Sequence, residues 1–388
     1  MKNLNEKQIL GIIWKCNLCG FCPKDFECPG FDLETRWESS MARGRISIVH
    51  AIMQNNELGF QYSPLAKERL FSCTGCGHCF YACPSGIDIP SIITLGKKKL
   101  VDANNYPETH KLILDNIKQY GNPFGETSPR DSAWPELKSN TEANTVYFPG
   151  CMAIYRLPEV ALDTIALFNK FGENIRVLQN ETCCSGVLYR TGHSTQLEEV
   201  TKSMINDINN NPPERIIFTC PGCLETFKEI YGSELKEKFK GIELIHFSEY
   251  LIDKLTDLKN NSDEIAARLE NILEKPIIWH DPCHLARGLG IYEEPRRILD
   301  TLNIPYIEFE YNRENANCCG SGSGVRSAYP EFSEEVTAQR LEEIKQLGAK
   351  TILTACPFCE YQYKAVIEKN GVALEVLDLN SLLTKLLF

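Results

Sequence analysis

The feature that most constrains this chain is a pattern of five cysteines that occurs twice. The first copy has the form Cys-x31-Cys-Cys-x35-Cys-x2-Cys and the second has the form Cys-x34-Cys-Cys-x36-Cys-x2-Cys. Equivalent cysteines are separated by a nearly constant 132 to 136 residues, which indicates an internal duplication. The two copies consist of Cys151, Cys183, Cys184, Cys220 and Cys223, and of Cys283, Cys318, Cys319, Cys356 and Cys359.

The other eight of the 18 cysteines lie upstream in two shorter runs. Each run has three cysteines separated by two residues, then a fourth cysteine and a proline. This arrangement is close to the ferredoxin run, in which three thiolates hold one cluster and the fourth ligates its neighbour. The spacing predicts two cubane [4Fe-4S] clusters, one held by Cys16, Cys19, Cys22 and Cys83 and the other by Cys73, Cys76, Cys79 and Cys28.

Two other uses of so many cysteines fit the sequence less well. Disulfide frameworks belong to short secreted chains, whereas this chain has 388 residues and its apolar run at 9–14 is too short for a secretory signal. Structural zinc is commonly bound by two Cys-x2-Cys pairs, but the triplets and the adjacent cysteine pairs suit zinc poorly. Zinc in one of the repeated sets stays open as an alternative.

Net charge and hydropathy narrow the range of partners. A formal charge of -11 and a pI near 5.3 argue against nucleic acid or an anionic membrane surface as the main partner. No stretch approaches 18 uninterrupted apolar residues, so the chain is not expected to span a bilayer by itself. We therefore expect a cytoplasmic protein that reaches the inner face of a membrane only through a partner.

The secondary-structure pattern predicts an α+β protein, with a helical N-terminal region followed by two α/β lobes. Short β-branched and aromatic runs alternate with helical stretches from residue 146 onward, which is typical of parallel sheets. Helices are predicted over 5–14, 37–54, 88–102 and 107–120. Strands are predicted over 146–148, 175–178, 215–218 and 243–246, and again over 277–279, 306–309, 351–354 and 374–377.

These patterns also predict the domain organisation. A helical two-cluster domain (1–120) is followed by a linker (121–145) rich in Pro, Ser, Asn and Thr, a first lobe (146–262) and a pseudo-repeated second lobe (263–388). The repeated cysteines come just after the predicted strands. Because open α/β sheets gather ligands at the carboxyl ends of their strands, we expect each five-cysteine set at such an edge.

The doubled pattern resembles the catalytic subunit of heterodisulfide reductase. That family has paired modules, called CCG modules, of the form Cys-x(31–39)-Cys-Cys-x(35–36)-Cys-x2-Cys, and both copies here fall within it. Similar sequence surrounds the cysteines in CCSG at 183–186, DPCHL at 281–285 and CCGSG at 318–322. A two-cluster domain joined to both modules is similar to the fused D type of this family. One departure is Ser185, where the family often has glycine.

The resemblance implies a noncubane [4Fe-4S] cluster in each five-cysteine set and an active site between them, with the ten repeated cysteines as catalytic residues. There the mixed disulfide of coenzyme M and coenzyme B, a substrate of methanogenesis, would be reduced by two electrons and two protons to two thiols. The cubane clusters would pass on electrons from a partner of the flavoprotein or cytochrome b type, since this chain has no flavin or nicotinamide fingerprint.

Such a substrate carries sulfonate, carboxylate and phosphate groups, so cations are expected near the cleft. His280 and His284 could also donate protons to the thiolates or hydrogen-bond a cluster sulfur, which would raise its potential, or they are structural histidines. Surface or capping charge is the alternative for each arginine. The candidate substrate-binding residues are Arg190, His193, His284, Arg287 and Arg326.

Two other functions share this architecture. One is the iron–sulfur electron-transfer subunit of a flavin-linked 2-hydroxy-acid dehydrogenase, such as a glycolate or lactate oxidase. In that class one module often lacks part of its cysteine set, whereas all ten are present here. The other is a component of a quinone-linked membrane complex that passes electrons to a small protein disulfide. The complete cysteine sets favour the disulfide reductase.

Overall fold

The computed structural model describes residues 6–22, 28–29, 37–54, 59–127, 140–259 and 272–388, together with the isolated residues 137, 265, 268 and 269. These residues form a helical N-terminal region and two four-stranded parallel sheets, which confirms the predicted α+β fold class. Among the helices of these ranges, none combines the length and the apolar character that a membrane crossing requires.

The N-terminal region is built from helices that pack around an aliphatic core. Gly96 allows two of them to approach closely, because a side chain there would place its first carbon 2.5 Å from Val49. Helix starts are stabilised by local caps, as where the Asp88 carboxylate accepts the Ser91 N–H. The helices are Glu6–Ile13, Ala42–Gln54, Pro64–Phe71, His78–Tyr81, Ile89–Asp102 and Glu108–Tyr120, with 3-10 turns at Glu38–Ser40 and Phe60–Tyr62.

The first sheet has the order β2-β1-β3-β4, and all its strands are parallel. They are β1 (Thr145–Phe148), β2 (Ile175–Arg176), β3 (Arg215–Phe218) and β4 (Glu243–His246). β1 is buried along its whole length, as expected where helices cover both faces of a parallel sheet. The helices are Gly150–Tyr155, Pro158–Lys170, Gly186–Arg190, Leu197–Asn210, Pro221–Glu225, Ser233–Glu237, Phe247–Asp253 and Leu255–Lys259, with a 3-10 turn at Ser194–Gln196 and a π-helical turn at Thr226–Ile230.

The second sheet repeats this arrangement in the order β6-β5-β7-β8, again with parallel strands. Its strands are β5 (Ile277–Trp279), β6 (Tyr306–Glu308), β7 (Thr351–Thr354) and β8 (Glu375–Asp378). Each strand stands in the place of its counterpart in the first sheet, as the duplication predicts. The helices are Ala286–Leu289, Glu293–Thr301, Val325–Ala328, Pro330–Gln346, Pro357–Asn370 and Leu379–Leu387, with a 3-10 turn at Arg313–Asn315.

The boundaries differ from the predictions by small amounts. β2 ends at Arg176 rather than at residue 178, because β1 pairs only Thr145 and Val146 with it. β6 is one residue shorter than predicted, and β8 begins one residue later. Much of the predicted linker, at 128–136 and 138–139, lies outside the described residues, and so does residue 5. The division into domains stays a prediction.

Candidate functional site

The two sheets bring the repeated cysteines to their carboxyl edges. Cys220 directly precedes the helix Pro221–Glu225, and Cys356 directly precedes the helix Pro357–Asn370. Proline suits the first helical position, because its fixed φ favours the turn and its missing N–H needs no partner there. Since the strands before these helices are parallel to their neighbours, the cysteine-bearing ends of each sheet meet at one edge.

A cavity of about 350 Å³ lies between the two lobes, and all ten repeated cysteines line it. All ten are buried. Phe124 contributes to the wall from the segment before the first lobe, Met152 from the first lobe and Phe358 from the second. The two five-cysteine sets therefore open onto one shared, largely apolar space.

Within each set the thiols approach one another without forming disulfides, and all 18 cysteines of the chain are free. The Cys151 and Cys183 sulfurs lie 3.9 Å apart, and the Cys319 and Cys359 sulfurs lie 3.3 Å apart. Buried thiols that converge in this way are the donor set that iron–sulfur clusters require. The residues present thus fit an iron–sulfur cluster in each set.

Backbone N–H groups support the adjacent cysteine pairs in both lobes. Ser185 donates its N–H to Cys183 Sγ at 3.3 Å, and Gly320 donates its N–H to Cys318 Sγ at 3.4 Å. Both residues have positive φ, +59° for Ser185 and +94° for Gly320. A left-handed conformation favours glycine, the residue that the family resemblance implies at position 185. The serine here keeps the same hydrogen bond to sulfur.

Mutual hydrogen bonds separate the pKa values of the thiols within each set. A hydrogen bond from Cys183 holds the pKa of Cys184 well below its ordinary range, and one from Cys318 does the same for the pKa of Cys319. Cys318 also lowers the pKa of Cys283 to about 7. Thiolates buried in an apolar cavity need a positive counterpart. The electrostatics therefore fit a bound metal centre.

Two smaller cavities, of about 20 Å³ each, lie in the N-terminal region. The fourth cysteine of each run lies with the triplet of the other run, and Cys22 lines both cavities. The cysteines that line them are Cys16, Cys19, Cys22 and Cys83 for one, and Cys22, Cys28, Cys73, Cys76 and Cys79 for the other. Their role as ligands stays a prediction.

The second of these cavities lies against the second lobe. The thiols of Cys76 and Cys318 hydrogen-bond each other across this contact. Arg287 donates its Nε–H to the Cys76 carbonyl at 2.7 Å. At Gly322 the backbones approach so closely that a Cβ would lie 2.3 Å from the Thr74 carbonyl oxygen. The N-terminal region thus contacts the second lobe at the edge of its cysteine set.

Three of the predicted substrate-binding residues line the cavity. Arg190 and His284 both contact the Glu225 carboxylate, at 2.7 Å and 2.6 Å, so that their charge is largely shared with one acid. Arg326 lies 4.4 Å above the centre of the Tyr361 ring. Arg326 also donates to the side-chain oxygen of Gln362. Among the described residues, no carboxylate pairs with Arg326.

The other two predicted residues, His193 and Arg287, do not line the cavity. His193 packs edge-on against Tyr106 at 4.9 Å, and its Nδ1 lies 3.2 Å from the Thr191 hydroxyl. Burial lowers the pKa of His193. Arg287 donates to backbone carbonyls, including that of Ala316 at 2.6 Å. Both side chains hold elements together in this structure.

Sequence reasoning missed Arg156, which lines the cavity. Its guanidinium lies 4.1 Å above the centre of the Phe124 ring and 2.7 Å from Glu126. Arg156 follows Cys151 by five residues, and Arg190 follows Cys184 by six. The rule that singled out Arg190, a cation shortly after a cluster cysteine, could therefore have found it.

Comparison with known proteins gives two family models that match. The model described as "Cysteine-rich domain" (CCG) matches residues 145–228 and 277–364, and the model described as "4Fe-4S dicluster domain" matches residues 12–87. The D-type subunit of dihydromethanophenazine:CoB–CoM heterodisulfide reductase from Methanosarcina acetivorans is 28% identical over 92% of this chain and 90% of that protein. The B-type subunit of fumarate reductase (CoM/CoB) from Methanothermobacter marburgensis is 29% identical over 81% of this chain and 62% of that protein.

The matched domains coincide with the parts of the structure that gather cysteines. The dicluster match contains the eight upstream cysteines, and each CCG match contains one five-cysteine set and its parallel sheet. The similarity to the D-type subunit also extends through nearly the whole length of both chains. The chain is therefore an iron–sulfur oxidoreductase with a dicluster domain followed by two CCG domains, and it is similar to the D-type subunit of heterodisulfide reductase over nearly its whole length.

Proposed function

We propose that this protein reduces a small-molecule disulfide, the coenzyme M–coenzyme B heterodisulfide, to two thiols. The observation that supports this most is that both five-cysteine sets line a single cavity. A disulfide has two sulfurs that must both be accommodated when the bond breaks. A cavity with metal-binding thiols on two sides offers a place for each of them.

The proposed cofactors are two noncubane [4Fe-4S] clusters on the ten repeated cysteines and two cubane clusters on the eight upstream ones. When bound, such clusters supply electrons and a site for sulfur at the bond that breaks. The reaction balances when one S–S bond is broken, two electrons and two protons are taken up, and two thiols leave. Five thiols per set, one more than a cubane needs, support the noncubane assignment.

Two arginines at the cavity would orient the substrate through its anionic groups. The Arg156 guanidinium lies over the Phe124 ring, and the Arg326 guanidinium lies over the Tyr361 ring. The ring contact holds each guanidinium in place. The N–H groups that do not donate to Glu126 or Gln362 remain available to a carboxylate, sulfonate or phosphate. Arg190 contributes less to anion binding in this proposal, because it is largely buried together with its partner Glu225. Glu126, the partner of Arg156, is partly exposed to solvent, which screens that pair.

A buried ionic contact would hold the two cysteine sets at a constant separation. Arg190 and Glu225 belong to the first lobe, and His284 belongs to the second, next to Cys283. The Glu225 carboxylate accepts from both cations at less than 2.8 Å, which is typical of charge-assisted hydrogen bonds. A substrate whose two sulfurs must reach both sets benefits from such a fixed gap.

Electrons would enter through the dicluster region from an electron-donor partner of the flavoprotein or cytochrome b type. Cys19 is exposed, and the exposed side chains of Trp14 and Phe21 lie close to it in the sequence. Aromatic residues of this kind are enriched where proteins bind one another. The Cys76–Cys318 contact would then carry electrons to the second module. Any attachment to a membrane would come from that partner.

The test is an assay of the anaerobically reconstituted chain with a reduced viologen dye as electron donor. We expect about sixteen irons per chain from four tetranuclear clusters, oxidation of the dye that depends on the heterodisulfide, and a change in the paramagnetic resonance spectrum when coenzyme M is added. A chain with its full iron content that leaves the heterodisulfide intact would refute the proposal. It would favour an electron-transfer role in a flavin-linked or quinone-linked complex.

A further inference from the structure

The two modules carry different residue pairs behind their cysteine sets. Phe148 and His280 each lie three residues before the first cysteine of a set, Phe148 at the end of β1 and His280 directly after β5. Phe227 and Tyr363 each lie four residues after the last cysteine. The first module therefore has two phenyl rings where the second has an imidazole and a phenol.

In the first module this pair is apolar. The Phe148 and Phe227 rings lie 5.3 Å apart, are fully buried, and pack in the same core as Cys220 and Cys223. A phenyl ring has no N–H or O–H group to donate to sulfur. Negative charge that is added to the first cysteine set therefore meets no donor from these two positions.

In the second module the equivalent pair is polar. The His280 and Tyr363 rings lie 5.1 Å apart, and His280 Nδ1 is 3.2 Å from the Tyr363 hydroxyl oxygen. A ring nitrogen of His280 and the sulfurs of Cys319 and Cys359 all lie within 4.8 Å of one another. The Nε2 atom of His280 is buried and has no hydrogen-bond partner among the described residues. A buried ring nitrogen of this kind calls for a partner that a bound cluster would supply.

The neighbours of His280 favour donation to sulfur over ligation of iron. Five cysteines already provide the ligands of this set, and a Tyr363 hydroxyl that donates to Nδ1 leaves the ring proton on Nε2.

Building on the clusters of the proposed function, we infer that His280 donates a hydrogen bond to a sulfur of the second-module centre and thereby gives it a higher reduction potential than the first-module centre. Donors to sulfur stabilise the additional negative charge of the reduced state. The second module is also the one whose cysteine set lies against a dicluster cysteine, because Cys318 interacts with Cys76. An electron that arrives singly from the donor partner therefore rests first on the second-module centre, before any bond is broken.

The experiment exchanges the residues between the modules. H280F gives the second module the phenyl ring of the first, and F148H is the matched reverse change. Both variants, and the unchanged chain, are reconstituted anaerobically at full length and titrated with reductant under paramagnetic resonance detection. H280F is expected to lower the midpoint of one module centre by a tenfold shift in its reduction equilibrium, about 59 mV for a one-electron couple. F148H is expected to raise the midpoint of the other module centre. The dicluster midpoints are expected to stay constant in both variants.

Four unchanged midpoints in an H280F chain with its full iron content would overturn the inference. If H280F loses iron, the H280Q variant decides, because its amide keeps an N–H donor. Iron retained in H280Q supports the donor role. Iron lost from both variants assigns His280 to assembly of the centre instead. The readout is independent of turnover. An unchanged chain that holds all four centres but does not reduce the heterodisulfide would refute the proposed function, while the effect of His280 on the midpoint would still be measured.

Discussion

The dicluster region and the paired modules both gather cysteines, but they differ in how they present them. The upstream cysteines are half-buried, apart from the exposed Cys19, whereas all ten repeated cysteines are buried. The upstream sets enclose about 20 Å³ each, against about 350 Å³ for the shared cavity. Clusters near a surface suit electron exchange with another protein, and an enclosed space suits chemistry on a small molecule. In the proposed function, the same ligand type thus serves two tasks through differences in burial.

The largest expected effect would come from removing one thiol of a module. Replacing Cys184 or Cys319 with alanine should abolish heterodisulfide reduction while the dicluster signals in the paramagnetic resonance spectrum persist, because the two regions enclose separate cavities. The matched control is Cys19→Ala, which should disturb a dicluster signal and leave the module signals in place. Undiminished turnover in either module variant would break the comparison.

The difference in burial also predicts the order in which iron is lost. Under a mild chelator or brief exposure to air, the dicluster signals should decay first, because exposed thiolates and their ligated iron are attacked more readily than buried ones. Iron analysis combined with paramagnetic resonance at successive times would measure the rate at which each signal is lost. Loss of the module signals before the dicluster signals would show that the cavity admits solvent more easily than its burial indicates.

The pH dependence of folding stability can be tested at His246, a buried histidine of the first module, without changing any thiol. Burial lowers the pKa of His246, at the end of β4, to about 4. Because the unfolded state binds this proton first as the pH falls, stability should be lost between about pH 6.5 and pH 4, by up to ~3 kcal/mol. Urea unfolding at several pH values would measure this. His246→Asn, which keeps a capping side chain for the Ser248 N–H, should lose less stability over the same range. An equal loss of stability in the unchanged chain and in the His246→Asn variant would show that His246 is not the cause.

The smallest effect is expected from two arginines that line the cavity, Arg156 and Arg326. Arg326→Gln and Arg156→Gln should each raise KM for the anionic heterodisulfide about tenfold, equivalent to ~1.4 kcal/mol, with a smaller change in kcat. Steady-state kinetics with a viologen donor would measure KM and kcat separately. Arg215→Gln is the control, because Arg215 lies at the start of β3 and pairs with Glu243 at 3.2 Å, away from the cavity lining. A fall in kcat without a rise in KM would assign these arginines to another role.

Much of this molecule follows from local sequence patterns. The cysteine spacing and the alternation of strands and helices are local signals, and parallel strands bring their carboxyl ends together wherever they pair. For that reason the sequence could predict both sheets and the positions of Cys220 and Cys356 after strands.

What could not be predicted depends on contacts between distant segments. The shared cavity exists because the lobes meet through pairs such as His284 with Glu225 and Asn380 with Thr164, which no local pattern indicates. The same holds for His193, which follows a cysteine pair closely but turns into the core against Tyr106. The position of a cation in the sequence limits where it can lie, and the packing of the elements decides which way it faces.

In the proposed function, electrons pass from the dicluster region to the second module, and the close approach of Gly322 to the Thr74 carbonyl has a consequence for the speed of that transfer. Any other residue at position 322 would place a carbon 2.3 Å from that oxygen, so the two backbones would have to separate. Electron tunnelling weakens exponentially with distance, so even a methyl group at this spot would slow transfer from the dicluster region to the second module. A hydrogen atom in place of a side chain thus keeps the tunnelling path short.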